Sequence, residues 1–201
     1  MEFKNAYKGI KLLFGAEAMV IVATVLSLLT AVFLVIGNGL EMSAAILALV
    51  TMIGFVASGI LSFVGYYKAA KDEHHFFIAF IIVVLGIIAS VLSYAVKNET
   101  VTAICDSLQP FFNQLTSIFA ILGLSALSQA KGHQKNIQFG KSLLTIVLII
   151  VVISLSLNIV SRFVGLSDMV AGILVAAAGV LSIVSYIMYL IYLKKVEIML
   201  R

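Results

Sequence analysis

Two short stretches hold most of the polar chemistry set within apolar sequence: FFNQLTS at 111–117 and ISLSLNIVSR at 153–162. Asn113 and Ser117 stand four residues apart, as do Ser154 and Asn158, and Asn158 and Arg162. On a helix each set shares one face. With Gln114 beside them, these residues offer carboxamides, hydroxyls and one guanidinium, groups that bind a neutral or anionic small molecule rather than break bonds. Facing one another, the two stripes would line a polar cleft. Paired off, they would supply interhelical hydrogen bonds of about 1 kcal/mol each. Both readings stay open at this level.

Other chemistry is thinner. DEHH at 72–75 combines carboxylates and imidazoles, donors that suit zinc. Four adjacent residues cannot converge on one ion, however, and acids at a helix start favour the helix dipole; no metal site is expected. Cys105 is the single cysteine, which excludes an intrachain disulfide, and no His or Lys is paired with it in sequence to make a catalytic thiol. No Gly-rich phosphate loop occurs, and the longest polar stretches are only about ten residues. An enzyme, a bound cofactor and a nucleic-acid partner are therefore not expected. Glu17 is the one acid that a membrane span could enclose, a candidate ion or proton site. In the first turn of a span it would equally suit the helix dipole.

The elements that must position these groups follow from composition. Of 201 residues, 63% are hydrophobic and 11% charged, with a mean hydropathy of +1.20. A soluble domain carries about 25% charged residues, so this chain could not cover a water-facing surface. Apolar runs at roughly 17–36, 43–67, 76–96, 107–130, 142–164 and 169–193 are each long enough to cross a hydrocarbon layer about 30 Å thick. The fold expected is an all-α integral membrane protein with six transmembrane helices in a single domain, residues 17–201. Its N-terminus does not read as a cleaved signal peptide, because lysines are spread through the apolar residues and the run that follows is long enough to span.

Charge then orients the spans. Eleven of the thirteen Lys and Arg fall on one side, all except Lys97 and Arg162. By the positive-inside rule both termini are cytoplasmic, and small loops suggest a bacterial cytoplasmic membrane. Basic junctions recur after every second span, which gives three helical hairpins, roughly 17–67, 76–130 and 142–193. Tyr7, Lys8 and Lys11 match Tyr67, Lys68 and Lys71 in a Tyr-Lys-x-x-Lys pattern. This pattern places an aromatic ring at headgroup depth and the amines on the anionic inner leaflet. Phe3, Tyr7, Ile10 and Phe14 share a helical face flanked by Lys4, Lys8 and Lys11, so residues 1–16 are expected to form an amphipathic surface helix bending near Gly15.

Small residues mark the packing faces: Gly54, Ser58, Ser62 and Gly65 in the second span, Gly86 and Ser90 in the third, Gly172, Ala176 and Gly179 in the sixth. They serve bundle packing or a homo-oligomeric seam. Asp106, Gln109 and Pro110 carry the signals of a helix start for the fourth span, and KGHQKNIQFGK at 131–141 reads as a basic loop. Function narrows to a small transporter, channel or solute-binding membrane subunit with an outward-facing cleft between the fourth and fifth spans. The alternative is a non-catalytic structural or assembly subunit of a membrane complex.

Overall fold

The computed structural model describes residues 2–36, 39–96, 98–163 and 168–201, with the side chains of 99, 103, 106 and 155–175 outside that description. Among the described residues the chain forms six helices: α1 (Lys4–Ile36), α2 (Glu41–Ala69), α3 (His74–Ala95), α4 (Glu99–Ala130), α5 (Gln134–Phe163) and α6 (Asp168–Leu200). Each contains a stretch long and apolar enough to cross a membrane. Many of their large apolar side chains point outward, among them Leu28, Val32 and Val35 of α1 and Ile46, Met52 and Ile60 of α2. That arrangement is unfavourable in water and suited to hydrocarbon, where the solvent is as apolar as the side chain.

Two compact units divide the chain, Met1–Asp72 and Glu73–Arg201. The first is the pair α1–α2. Its buried residues in α1 include Ala6, Gly9, Leu13, Ala16 and Ala23, and in α2 Ala44, Thr51, Ser58 and Gly65. The second series repeats every seven residues and the first steps by three, four or seven, the seam of two helices held close over many turns. Small residues make the approach possible. A Cβ added at Gly9 would stand 2.6 Å from both the Ala69 amide nitrogen and the Gly65 carbonyl oxygen. Gly65 in turn takes the Leu13 side chain, and Gly54 faces the Ala23 methyl group. Ser62 is only partly buried.

Two expectations about this unit change. α1 is one continuous helix from Lys4 through Gly15 to Ile36, so residues 1–16 do not form a helix of their own. The reason is packing: Ala6, Gly9, Ile10, Leu13 and Ala16 are all buried, which holds both sides of Gly15 in one seam. Glu17 consequently lies within α1, half-buried, and not in a first turn. The helix start is served instead by Asp72, whose carboxylate accepts from the Ala6 amide at 2.7 Å and from Asn5 Nδ2 at 3.0 Å. A first-turn N–H is thereby satisfied from the far end of the hairpin.

In the second unit α4 packs against α3, α5 and α6, and α5 against α6. Glu73 caps α3, its Oε2 accepting from the His75 amide at 2.8 Å and the Phe76 amide at 3.3 Å, while Oε1 lies within hydrogen-bond distance of His75 Nδ1, 2.7 Å away. The acids of DEHH are therefore both helix-start groups, for two different helices. Replacing Glu73 by Ala is expected to lower stability by about 1 kcal/mol, read as a shifted midpoint in equilibrium unfolding in mixed micelles.

α4 starts earlier than the sequence suggested. Asn98 is its cap, accepting from the Thr100 and Val101 amides at 3.0 and 3.3 Å, and Pro110 lies inside the helix. Gln109 does not cap; it accepts from Ser90 across to α3 at 3.2 Å, and Gly86 leaves room for Gln109 and Phe112. α5 also starts early, at Gln134, so most of the expected 131–141 loop is helix.

Candidate functional site

Where they pack on one another, α4, α5 and α6 each present a stripe of residues at helical spacing. At one end the stripes are filled. Leu124, Leu127 and Ser128 of α4, Asn136 and Leu143 of α5, and Tyr192, Leu193, Val196 and Leu200 of α6 are buried. Tyr192 is central: its hydroxyl lies 3.0 Å from Ser125 Oγ, and its ring packs 5.6 Å from that of Phe139. Gly140 makes room for this contact, since a Cβ there would meet both Ser125 Oγ and the Tyr192 hydroxyl. Three helices thus meet at one level, the side chains of Ser125 and Tyr192 touching over the α5 glycine. Basic side chains collect around this end, Lys131, Lys135, Lys141, Lys194, Lys195 and Arg201 all being exposed. Lys195 Nζ stands 4.2 Å over the Phe139 ring, and Lys194 pairs with Glu197 at 2.9 Å.

Seven or eight residues further along the same stripes, the side chains of α4 and α6 become polar. A distance of about 11 Å separates the two levels at the rise of an α-helix. Here Asn113, Gln114 and Ser117 of α4, Val147, Ile150 and Val151 of α5, and Ser182 and Ser185 of α6 line a cavity of about 220 Å³. Short side chains cannot fill a seam that Leu and Tyr fill below it, and the result is a cleft with a closed floor.

Its hydrogen-bonding character follows from local bonds. The hydroxyl protons of Ser117, Ser182 and Ser185 go to the carbonyls of Asn113, Ala178 and Ser182 on their own helices, at 3.0, 2.8 and 2.9 Å. The hydroxyl oxygens remain acceptors, while donors toward the cleft come from the two carboxamides. The described lining has no charged residue. An uncharged solute offering both donors and acceptors matches it.

The lining differs from the sequence expectation on one wall. α5 contributes aliphatic residues, and the second polar wall is α6. Ser154 is half-buried on α5 and does not belong to the described lining. The side chains of Asn158 and Arg162 fall outside the described residues, as does Gly172. On α6, Ala176 and Gly179 are exposed, and a Cβ at Gly179 would meet nothing within 4 Å. Their small-residue face is therefore not used for packing within the described chain.

The residues expected to anchor at the membrane surface lie toward the start of α1 and the end of α2. Lys8, Lys11, Lys71 and Tyr67 are exposed, Tyr7 and Lys68 partly so, and Lys71 Nζ rests 4.8 Å above the Tyr67 ring. Sequence reasoning missed Gly9, Gly140, Ser125 and Tyr192. The signal for Gly140 was present: Asn136, Gly140, Leu143, Val147 and Ile150 run at three- and four-residue steps, a helical stripe crossing the stretch read as a loop. No family model, curated protein or solved structure matches the chain, and the chemistry of the cleft must be read from its own side chains.

Proposed function

We propose that this chain is a solute-binding membrane component, a small transporter, channel or binding subunit. Its binding site is the cleft where Asn113, Gln114 and Ser117 meet Ser182 and Ser185. That meeting of polar side chains from two helices, above a floor closed by Tyr192, is the observation that carries the reading. The ligand class is a small neutral polar molecule.

In this reading the six helices form three hairpins with the basic ends on the cytoplasmic side of a bacterial membrane. The distribution of Lys and Arg supports the orientation, and the packing of α1 on α2, α3 on α4 and α5 on α6 supports the pairing. The cleft then opens outward. The first turns of α1, with Tyr7, Lys8 and Lys11, and the end of α2, with Tyr67, Lys68 and Lys71, sit at the anionic headgroups.

The test is native mass spectrometry of the protein extracted with its lipids in mild detergent. A monomer carrying a small uncharged species is expected. Asn113→Leu and Gln114→Leu should each weaken its binding by about three- to tenfold, the effect of one lost hydrogen bond. A ligand-free oligomer, or a stable complex with another membrane protein, would move the structural or assembly role to first place. The exposed Ala176 and Gly179 face on α6 favours that second reading.

A further inference from the structure

At the basic end of the second unit, α5 and α6 bring two lysines to one junction. Lys194 pairs with Glu197 at 2.9 Å, but its neighbour Lys195 reaches across from α6 and stands 4.2 Å over the Phe139 ring of α5. Lys135 lies four residues before Phe139, one turn toward the start of α5, and so on the same face. Both lysines are exposed, and among the described residues no carboxylate pairs with either. A ring holds an exposed ammonium only weakly and from one side, so the N–H donors turned away from it stay open.

The faces that run away from this junction are apolar. On α5, Lys135, Phe139, Ser142, Ile146 and Ile149 follow at four- and three-residue steps and share a face, with Ile149 exposed on it. On α6, Val184, Ile187, Ile191 and Lys195 do the same, and all four are exposed. Both faces belong to stretches long and apolar enough to cross a membrane. Lys135 is the second residue of α5, and Lys195 lies five residues before the end of α6 at Leu200. The lysines therefore stand where two lipid-facing surfaces end.

A soluble anion would use only the two charges. A molecule with a phosphate at the lysines and acyl chains on the apolar faces uses both features, and charge complementarity favours an anionic head over a zwitterionic one, whose own ammonium the lysines repel. We propose that the α5–α6 junction is a binding site for one anionic phospholipid. Its phosphate bridges Lys195 and Lys135 beside the Phe139 ring, and its chains lie along Ile149 of α5 and Ile187 and Ile191 of α6. This differs from the general attraction of basic residues to an anionic surface, because it depends on where a lysine stands and not on the total charge. Lys141 gives the contrast. It is also exposed and carries the same charge, but it lies two residues past Phe139, about 200° around α5. The site is separate from the polar cleft and needs only the membrane setting of α5 and α6.

The test is native mass spectrometry of the full chain, stripped of lipid and titrated in mild detergent with dioleoylphosphatidylglycerol or dioleoylphosphatidylcholine. One phosphatidylglycerol per chain is expected to be held about fivefold or more tightly than phosphatidylcholine. Lys195→Ala and Lys135→Ala should each weaken it by roughly three- to tenfold, the effect of one lost charged contact, and Lys195→Arg should retain it. Lys141→Ala should leave it unchanged. Equal affinity for the two lipids, or a loss on Lys141→Ala as large as that on Lys195→Ala, would reduce the junction to diffuse attraction and overturn the proposal. Displacement of the lipid by free glycerol phosphate at matching concentration would show that the chains contribute nothing and leave a soluble-anion site in its place. Displacement by polyglutamate under the same conditions would assign the junction to an acidic protein segment.

Discussion

Gly9→Val is expected to lower the stability of the α1–α2 pair by about 3 kcal/mol, and Gly9→Ala by about 1–2 kcal/mol. The cause is the 2.6 Å that would separate a Cβ at Gly9 from the Ala69 amide nitrogen and the Gly65 carbonyl oxygen. Both obstacles are backbone, so no rotamer change relieves the collision and the helices themselves must move apart. Moving them also pulls Ala6 away from Asp72, whose carboxylate holds that amide at 2.7 Å, so the helix cap weakens with the seam. Against this stands the gain from replacing a helical glycine, which is worth up to about 1 kcal/mol. Gly15→Ala isolates that gain, because a Cβ at Gly15 meets nothing within 4 Å. The two alanine substitutions, six residues apart on one helix, should therefore shift stability in opposite directions. Equilibrium unfolding in mixed micelles reads both; a Gly9→Ala protein as stable as Gly15→Ala would show that the close approach is not required.

Why Gly9 escaped the sequence reading is instructive. It stands inside Tyr7-Lys8-Gly9-Ile10-Lys11, where the charged and aromatic neighbours advertise a membrane surface. Hydropathy reports what surrounds a residue, whereas a close approach depends on which residue of another helix faces it. The class of fold was legible for the same reason: six apolar stretches need no knowledge of partners. Helix ends were harder. Asp106, followed by Pro110, has the signals of a start for the fourth span, yet α4 begins at the Asn98 cap and carries the proline as an internal residue. DEHH was read correctly as helix-start acids, but nothing local could reveal that Asp72 serves α1.

The cleft divides in the same way. The shared face of Asn113, Gln114 and Ser117 follows from spacing alone. Their partner wall does not, because Ser182 and Ser185 look like any small residues in an apolar helix. Ser154, with its polar neighbours, looked more like a binding wall than they did. Only the register between α4 and α6, set at the other end by Ser125 and Tyr192, brings the two serines to the carboxamides.

That register supplies the second large prediction. Gly140→Ala should cost about 2 kcal/mol, because its Cβ would meet Ser125 Oγ and the Tyr192 hydroxyl in a fully packed floor. Tyr192→Phe alone should cost about 1 kcal/mol, the value of one hydrogen bond with its buried partner left over. Combined, the two should be less than additive: deleting the phenolic oxygen removes half of what the new methyl group strikes, and residues in direct contact couple in this way. The same series tests whether the floor closes the cleft. With Ser117→Cys as a reporter, a water-soluble maleimide added from the basic side should not label the unaltered floor, whereas Gly140→Ala should admit it. The double variant should close the path again as the packing recovers. If the double variant is instead additive in stability and equally open to the reagent, Gly140 and Tyr192 act independently. The seal would then have to come from another part of the seam, with Leu124 and Leu143 the next residues to examine.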